Sequence, residues 1–419
     1  MHARYLKILT AFFAIFTVGL CGFNWFIDPL GFYKPPEVFG VNFIKDQMWK
    51  HDRAIKAWGI KSMEPDGLVL GTSRSAVGIT TDHPGWEAEA VYNSSLTAST
   101  MFELYRYLQH AYAFNDVKEV VFGLDFMAFN PARANPVSFD ESLLKVDVNG
   151  NRAPGYPLLS EYRNLMSIPM AKVSLDSLRD NRLPKNADKD NSNYLPNFSS
   201  LGVMQPDYFP RSRWMTHRAE ALSAITSLID IWWAPVDDFT LGRKGQESKA
   251  LHWYRKILRL AYENNTQVYL YFTPAHAYVY ETMAAAGLWS TWEDWKIMMI
   301  RINDEEAARA GKSPFSVHDF SGYNAITTEV MPELVGPANA AVHYWDILHF
   351  KASVGDKVQD VLFGLAEPGE YFGIPVNADN IEKHLRGIRE SRTRYQLNNT
   401  EEVAALEAQL AASMAEQPQ

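Results

Sequence analysis

Cysteine is almost absent. One residue, Cys21, stands in a chain of 419, which excludes an intrachain disulfide and a multi-cysteine metal site. Positive charge is in deficit, with 40 Lys and Arg against 49 Asp and Glu, a formal net charge of −9. Such a field disfavours polyanions, and no nucleic-acid partner is expected. Neither G-x-G-x-x-G nor G-x-x-x-x-G-K occurs, so both glycine-rich phosphate loops are missing. No internal repeat is visible. What the composition does contain, 47% hydrophobic and 21% charged residues, is that of a globular protein of one large domain or two.

One long uncharged run is present. Ile8 to Ile27 reads ILTAFFAIFTVGLCGFNWFI, twenty residues without a charge. About 20 apolar residues cross a hydrocarbon core of about 30 Å. His2, Arg4 and Lys7 precede the run and Asp28 follows it, so the positive-inside bias puts the N-terminus in the cytoplasm. Trp25, Phe26, Phe32 and Tyr33 stand where an outer aromatic belt belongs. A cleaved signal peptide needs a shorter core and a small-residue cleavage site. A lipoprotein signal needs a small residue before Cys21, where Leu20 stands. The expectation is an uncleaved single-pass anchor over residues 1–30, in an inner membrane, with the remainder periplasmic or otherwise extracytoplasmic.

Residues 31–64 read as a proline- and aromatic-rich neck and a leading helix over Asn42–Met63, with Ile44, Met48, Ile55 and Trp58 at helical spacing. The pattern then becomes strand, turn, helix. Short apolar runs at Gly67–Leu70, Glu89–Tyr92, Lys118–Phe122 and Gln267–Phe272 alternate with helical stretches such as Met101–Phe114. That alternation predicts an α/β fold with a parallel sheet over residues 65–376. Between about 130 and 241 the rhythm breaks, in a stretch carrying Tyr208, Phe209, Trp214, Trp232 and Trp233. A cap-like insertion is expected there. The charged tail over 377–419 reads as a peripheral helix or a partner-binding extension with a frayed end.

Ligands of doubly wound sheets sit beyond the carboxyl ends of the strands, and the polar clusters fall there. They comprise Ser73 and Arg74 after the first run, Asn93 after the second, Asp125 after the third and His276 after the fourth. Near the chain's end comes Asp346-Ile347-Leu348-His349. A carboxylate three residues from an imidazole can hold it in one tautomer, and a serine needs such a base to lose its proton. A strand-to-helix turn also offers backbone N–H groups to an oxyanion. Each feature has a plainer role beside this one. Gly-Thr-Ser-Arg can be a tight turn and helix cap, and Asp346 can cap the following helix. His349 can be a half-buried structural ring, and Arg74 either attracts an anionic substrate group or simply pairs with a nearby acid. His276 is either a rival base or a ring packed at a pocket rim. Trp232 and Trp233 either stack on sugars or fill core. His318-Asp319 and Asp346-x-x-His349 lack a third ligand at useful spacing, so neither metal nor cofactor is expected.

The Gly-Thr-Ser-Arg turn after the first strand and the terminal Asp-x-x-His resemble the SGNH (GDSL-type) hydrolase superfamily. A membrane-anchored domain opening with these residues is similar to its bacterial cell-envelope acyl-transfer branch, which includes exopolysaccharide O-acetylation proteins and the D-alanyl transfer protein of teichoic acids. The resemblance spans about Pro65 to Gly364 without the insertion, and implies a flavodoxin-like three-layer fold. It also implies Ser73 as nucleophile, His349 as general base, Asp346 as its orienting carboxylate, a glycan or acylated substrate, and a multi-pass partner of the membrane-bound O-acyltransferase type. Two positions depart from the family. Asn93-Ser94-Ser95 lacks the expected glycine, and Asp125 stands where an asparagine is expected. An ionised Asp cannot donate to an oxyanion, so Asp125 is either protonated, turned elsewhere or in a different role, and Asn93 can substitute as a donor. The expected function is O-acylation of an envelope glycan. Ester hydrolysis by the same fold, and a degenerate, non-catalytic SGNH subunit of a polysaccharide assembly or modification complex, are the alternatives.

Overall fold

The structure, a computed structural model, describes residues 2–153, 163–183, 196–205, 218–243, 246–333 and 341–415. In chain order the helices used below are α1 (His2–Ile27), α2 (Asp52–Met63), α3 (Ser73–Gly78), α4 (Met101–Tyr112), α5 (Ile168–Asn181), α6 (Arg218–Ser227), α7 (Lys249–Glu263), α8 (Ala277–Ala285), α9 (Trp289–Ala310), α10 (Ala352–Leu362), α11 (Ile381–Asn398) and α12 (Thr400–Ala415). The strands are β1 (Gly67–Leu70), β2 (Val91–Asn93), β3 (Glu119–Leu124), β4 (Gln267–Phe272), β5 (Ser316–Asp319) and β6 (Ile374–Pro375). The chain divides into two compact units. One holds residues 1–62 and 137–208, the other 63–136 and 209–419. The stretch expected to form a single insertion is thus shared between them, and Tyr208, Phe209 and Trp214 lie outside the described residues.

In the first unit, α1 is long and apolar enough to cross a membrane. Its carbonyl end is closed by side chains from the neck. Asn42 Nδ2 donates to Phe26 O (2.6 Å), and Lys45 Nζ donates to Ile27 O (3.1 Å) and Asp28 O (2.7 Å). These bonds satisfy groups that a helix end otherwise leaves orphaned. They also explain why the expected leading helix is shorter than its periodicity. Residues 42–45 are spent on α1, and regular α-helix starts only at Asp52.

The second unit is α/β. Its six-stranded sheet has the order β2-β1-β3-β4-β5-β6. The first five strands are parallel, in the 2-1-3-4-5 order of open doubly wound sheets, and β6 closes the edge antiparallel to β5. Register is set by pairs such as Leu70 with Phe122 and Leu124 with Phe272. Strands buried on both faces read as continuous apolar runs, and GLVL and EVVFGL are buried throughout. On one face Val69, Val121 and Tyr271 pack against Phe350, Val354 and Val358. On the other, Phe122 meets Tyr254 of α7, and Phe272 meets Trp295 of α9. Strands β5 and β6, four and two residues long, escaped the sequence reading. His318, Asp319 and Pro375 give them no apolar alternation to read.

The tail is part of this unit. Arg389 of α11 makes two 2.8 Å bonds to Glu293, Arg392 pairs with Glu281 at 2.9 Å, and Leu406 and Leu410 of α12 are buried. At the sheet edge His384 Nε2 lies 2.8 Å from Asp319 Oδ2, beside the buried Lys296. Burial raises the Asp319 carboxyl, but Lys296 and His384 more than reverse this and hold it far below the usual range.

Two glycines let α3 and α10 touch. A Cβ on Gly355 would stand 1.7 Å from Gly78 O, and one on Gly78 would stand 2.0 Å from the Phe350 ring. Gly355→Ala therefore has to push the two helices apart. It is expected to destabilise the protein by about 1–3 kcal/mol, measured by thermal unfolding. Because α3 opens with Ser73 and α10 follows His349, activity should fall further than the loss of folded protein explains.

Candidate active site

β1 ends at Leu70, and the chain turns through Gly71-Thr72 into α3. Gly71 is obligatory, since a Cβ there would meet Ser75 Oγ at 2.4 Å. The helix cap is Thr72. Its Oγ1 accepts weakly from Arg74 N (3.4 Å) and donates to Asp125 Oδ2 (2.8 Å). Ser73 is consequently spared the capping role that the sequence left open to it. Its neighbours Arg74 and Ser75 are buried, while Ser73 itself is only half-buried.

The partner of Ser73 comes from a hairpin-like turn 276 positions later. His349 Nε2 lies 2.8 Å from Ser73 Oγ, and His349 Nδ1 lies 2.7 Å from Asp346 Oδ2. The second carboxylate oxygen of Asp346 accepts Leu348 N and His349 N, both at 2.7 Å. The turn is closed by Trp345 N donating to His349 O (2.8 Å) and Lys351 N donating to His343 O (2.8 Å). Asp346 thus caps its own turn and orients the imidazole. It does not cap α10, whose N-cap position is Lys351 and which has no side-chain cap bond. Burial pushes the Asp346 carboxyl up, but His349 and the two N–H donors outweigh it and hold the group below its usual range. An imidazole whose Nδ1–H is held by an ionised carboxylate presents Nε2 as acceptor to the serine hydroxyl.

The turn is anchored from outside as well. Glu329 accepts the backbone N–H groups of Val342, His343 and Tyr344 at 2.7–3.1 Å. His276 N donates to Ile347 O at 3.0 Å. The sequence offered no signal for Glu329 in this role, because its partners are backbone groups 13 to 15 residues away.

The other sequence candidates are near but differently employed. Arg74 lies with Nε 3.3 Å from Asp125 Oδ2, and its Nη1 donates to Thr273 Oγ1 at 3.1 Å. Asp125 also accepts Met127 N, so its carboxylate is an acceptor for Thr72, Arg74 and its own turn. Asn93 Nδ2 donates to Ser75 O (2.9 Å) and Ile79 O (3.0 Å), tying β2 to α3. The Asn93 amide considered as an oxyanion donor is thus engaged by these two carbonyls. Trp233 is buried core, and Trp232 stacks under the Arg133 guanidinium.

His276 is not positioned as a base for Ser73. It caps α8, with Nδ1 accepting Tyr278 N (3.3 Å) and Nε2 donating to Glu329 O (2.8 Å). Burial drives its pKa down to about 4. Because the folded value lies below that of an unfolded histidine, near 6.5, the unfolded chain binds more protons between these limits. Stability contributed by the neutral ring is therefore present above pH 6.5 and is lost as pH falls to about 4, by about 3 kcal/mol. A His276→Gln variant should show a visibly flatter fall of melting temperature across that window. No group of three metal-ligating side chains occurs among the described residues.

No family model, curated protein or solved structure matches this chain.

Proposed function

We propose that this protein is a membrane-anchored serine acyl-transfer enzyme. Ser73 is its nucleophile, His349 its general base and Asp346 the carboxylate that orients the imidazole. The observation that carries the reading is the unbroken relay from Ser73 Oγ to His349 Nε2 (2.8 Å) and from His349 Nδ1 to Asp346 Oδ2 (2.7 Å). It stands just past the carboxyl end of β1, where doubly wound sheets bind ligands.

In this reading Ser73 Oγ attacks the carbonyl carbon of an acyl ester while its proton moves to His349 Nε2. The departing alkoxide takes that proton and leaves acyl-Ser73. An acceptor hydroxyl then gives its proton to His349 and attacks the acyl carbon, and the proton returns to Ser73 as it is released. Asp346 stabilises the imidazolium formed in both halves. The resemblance to the SGNH envelope branch makes the acceptor a cell-envelope or exopolysaccharide glycan, with acetyl the expected group. With α1 spanning the inner membrane and residues 1–7 cytoplasmic, the second unit works outside the cytoplasm. The acyl group must then be handed across by a multi-pass partner of the membrane-bound O-acyltransferase type.

A non-catalytic SGNH subunit is the second reading. The engagement of Asn93 and Asp125 by other groups favours it, since both family oxyanion positions are occupied. A serine-reactive fluorophosphonate separates the two. The detergent-solubilised full chain is expected to be labelled, and Ser73→Ala is expected not to be. A wild type that resists the reagent and leaves a chromogenic acetyl ester untouched decides for the subunit. Preference for water over every saccharide offered makes the enzyme an esterase.

A further inference from the structure

Helix α5 is amphipathic the wrong way round. Its buried positions are Ser174, Ser177 and Asn181, whereas Ile168, Lys172, Leu175 and Arg179, spaced four, three and four residues apart, form the exposed face. A helix on a water-facing protein surface turns its apolar stripe inward. Here the inward stripe is hydroxyl and amide, and each member is hydrogen-bonded. Ser174 Oγ donates to Asn24 Oδ1 (3.0 Å), and Asn181 Nδ2 donates to Ile44 O (2.9 Å). The outward stripe leaves Ile168 66% and Leu175 47% exposed, and the preceding Met166 is 54% exposed.

The position of this helix along α1 is set by Asn24. The Asn24 amide donates to Asn164 O (3.3 Å), Leu165 O (2.9 Å) and Ser167 O (3.1 Å). Asn24 lies three residues before the end of α1, about 4–5 Å along its axis at 1.5 Å per residue. A segment bonded there shares the depth of the last turn of the span. A second loop hangs from the same end, because Asn42 bonds both Phe26 O and Val38 N and leaves Phe39 exposed.

We infer that α5 and the turn before it lie in the outer headgroup layer of the membrane beside the span. Ile168, Leu175, Met166 and Phe39 meet the acyl boundary, and Lys172 reaches phosphate headgroups, while Arg179 pairs with Asp176 at 3.3 Å on the same helix. The inference rests on the reading that α1 crosses the membrane. The occupant of the exposed face is lipid, for two reasons. The face is continuous with the end of α1, and its pairing of branched apolar side chains with Lys and Arg is the composition that interfacial helices use, at about 5–10 Å into the headgroup–acyl boundary. The long basic side chains keep their charge at the surface while their stems stay in the apolar layer.

The test uses the full chain with Cys21→Ser, reconstituted into phosphatidylethanolamine–phosphatidylglycerol vesicles and spin-labelled at one introduced cysteine. The sites are Ile168→Cys, Leu175→Cys, Ile15→Cys within the span and Leu397→Cys on the second unit, all exposed. Collision with oxygen and with a water-soluble nickel chelate reports depth. Labels at 168 and 175 are expected to meet oxygen freely and to show a severalfold lower nickel collision rate than the label at 397. Nickel access at 168 and 175 equal to that at 397, with 15 protected, overturns the inference while leaving the span intact. Shielding of 168 and 175 from both reagents means protein covers this face, and also overturns it. Nickel access at 15 overturns the span itself.

Discussion

Ser73→Ala is expected to lower turnover of an acetyl ester by at least about 10⁴-fold, with folding unchanged. The size follows from what the hydroxyl does. It forms the covalent bond, and no other hydroxyl can take over. Ser75, two residues on, is buried and its Oγ lies 2.8 Å from Tyr271 OH on the far side of the turn. Thr72 spends its hydroxyl on Asp125. His349→Ala should fall to the same floor, and the double variant should be no worse than either single one, because residues that act as one unit do not contribute additively. The measurement is kcat and KM on the full chain in detergent, with circular dichroism to verify the fold. Turnover in Ser73→Ala within tenfold of wild type would remove the nucleophile assignment.

Asp346→Asn is expected to cost about 10³–10⁴-fold in kcat with little change in KM. The carboxylate contributes in two ways that the amide cannot reproduce together. It fixes the His349 tautomer through Nδ1–H, and it stabilises the imidazolium that forms when Ser73 loses its proton. An amide can accept from Leu348 N and His349 N through its oxygen. Its NH₂ group would then face Nδ1, favouring the tautomer that carries the proton on Nε2 and points it at Ser73. The ionised state of Asp346 should persist to acidic pH, because His349 and two backbone donors hold its carboxyl below the usual range. Activity lost on mild acidification in the wild type should therefore not come from protonation of Asp346. An Asp346→Asn variant with full kcat would reduce the carboxylate to a turn former.

Several things were legible in the amino-acid order because they depend on residues close together along it. Twenty consecutive uncharged residues specify a helix able to cross a membrane. Short apolar runs separated by helical stretches specify a parallel α/β sheet. The last of the four runs, Gln267–Phe272, matches β4 to the residue, since alternating aromatic and branched residues leave little else for it to be. Asp346 and His349 face one another across a four-residue turn, and a spacing of three was enough to suggest it.

Tertiary structure decided the rest, because those choices lie between groups far apart in the chain. Two histidines were eligible as the base, and only packing determined that His349 meets Ser73 while His276 is buried against Glu329 O. Local chemistry allowed either Thr72 or Ser73 to cap α3, and Asp125, arriving from β3, drew Thr72 into that role. Asn93 was eligible to donate to an oxyanion until the carbonyls of Ser75 and Ile79 claimed its amide. The inward face of α5 was likewise decided by tertiary contacts. Buried polar groups must be hydrogen-bonded, and the bonds that satisfy Ser174 and Asn181 come from α1 and from Ile44, both more than 100 residues away.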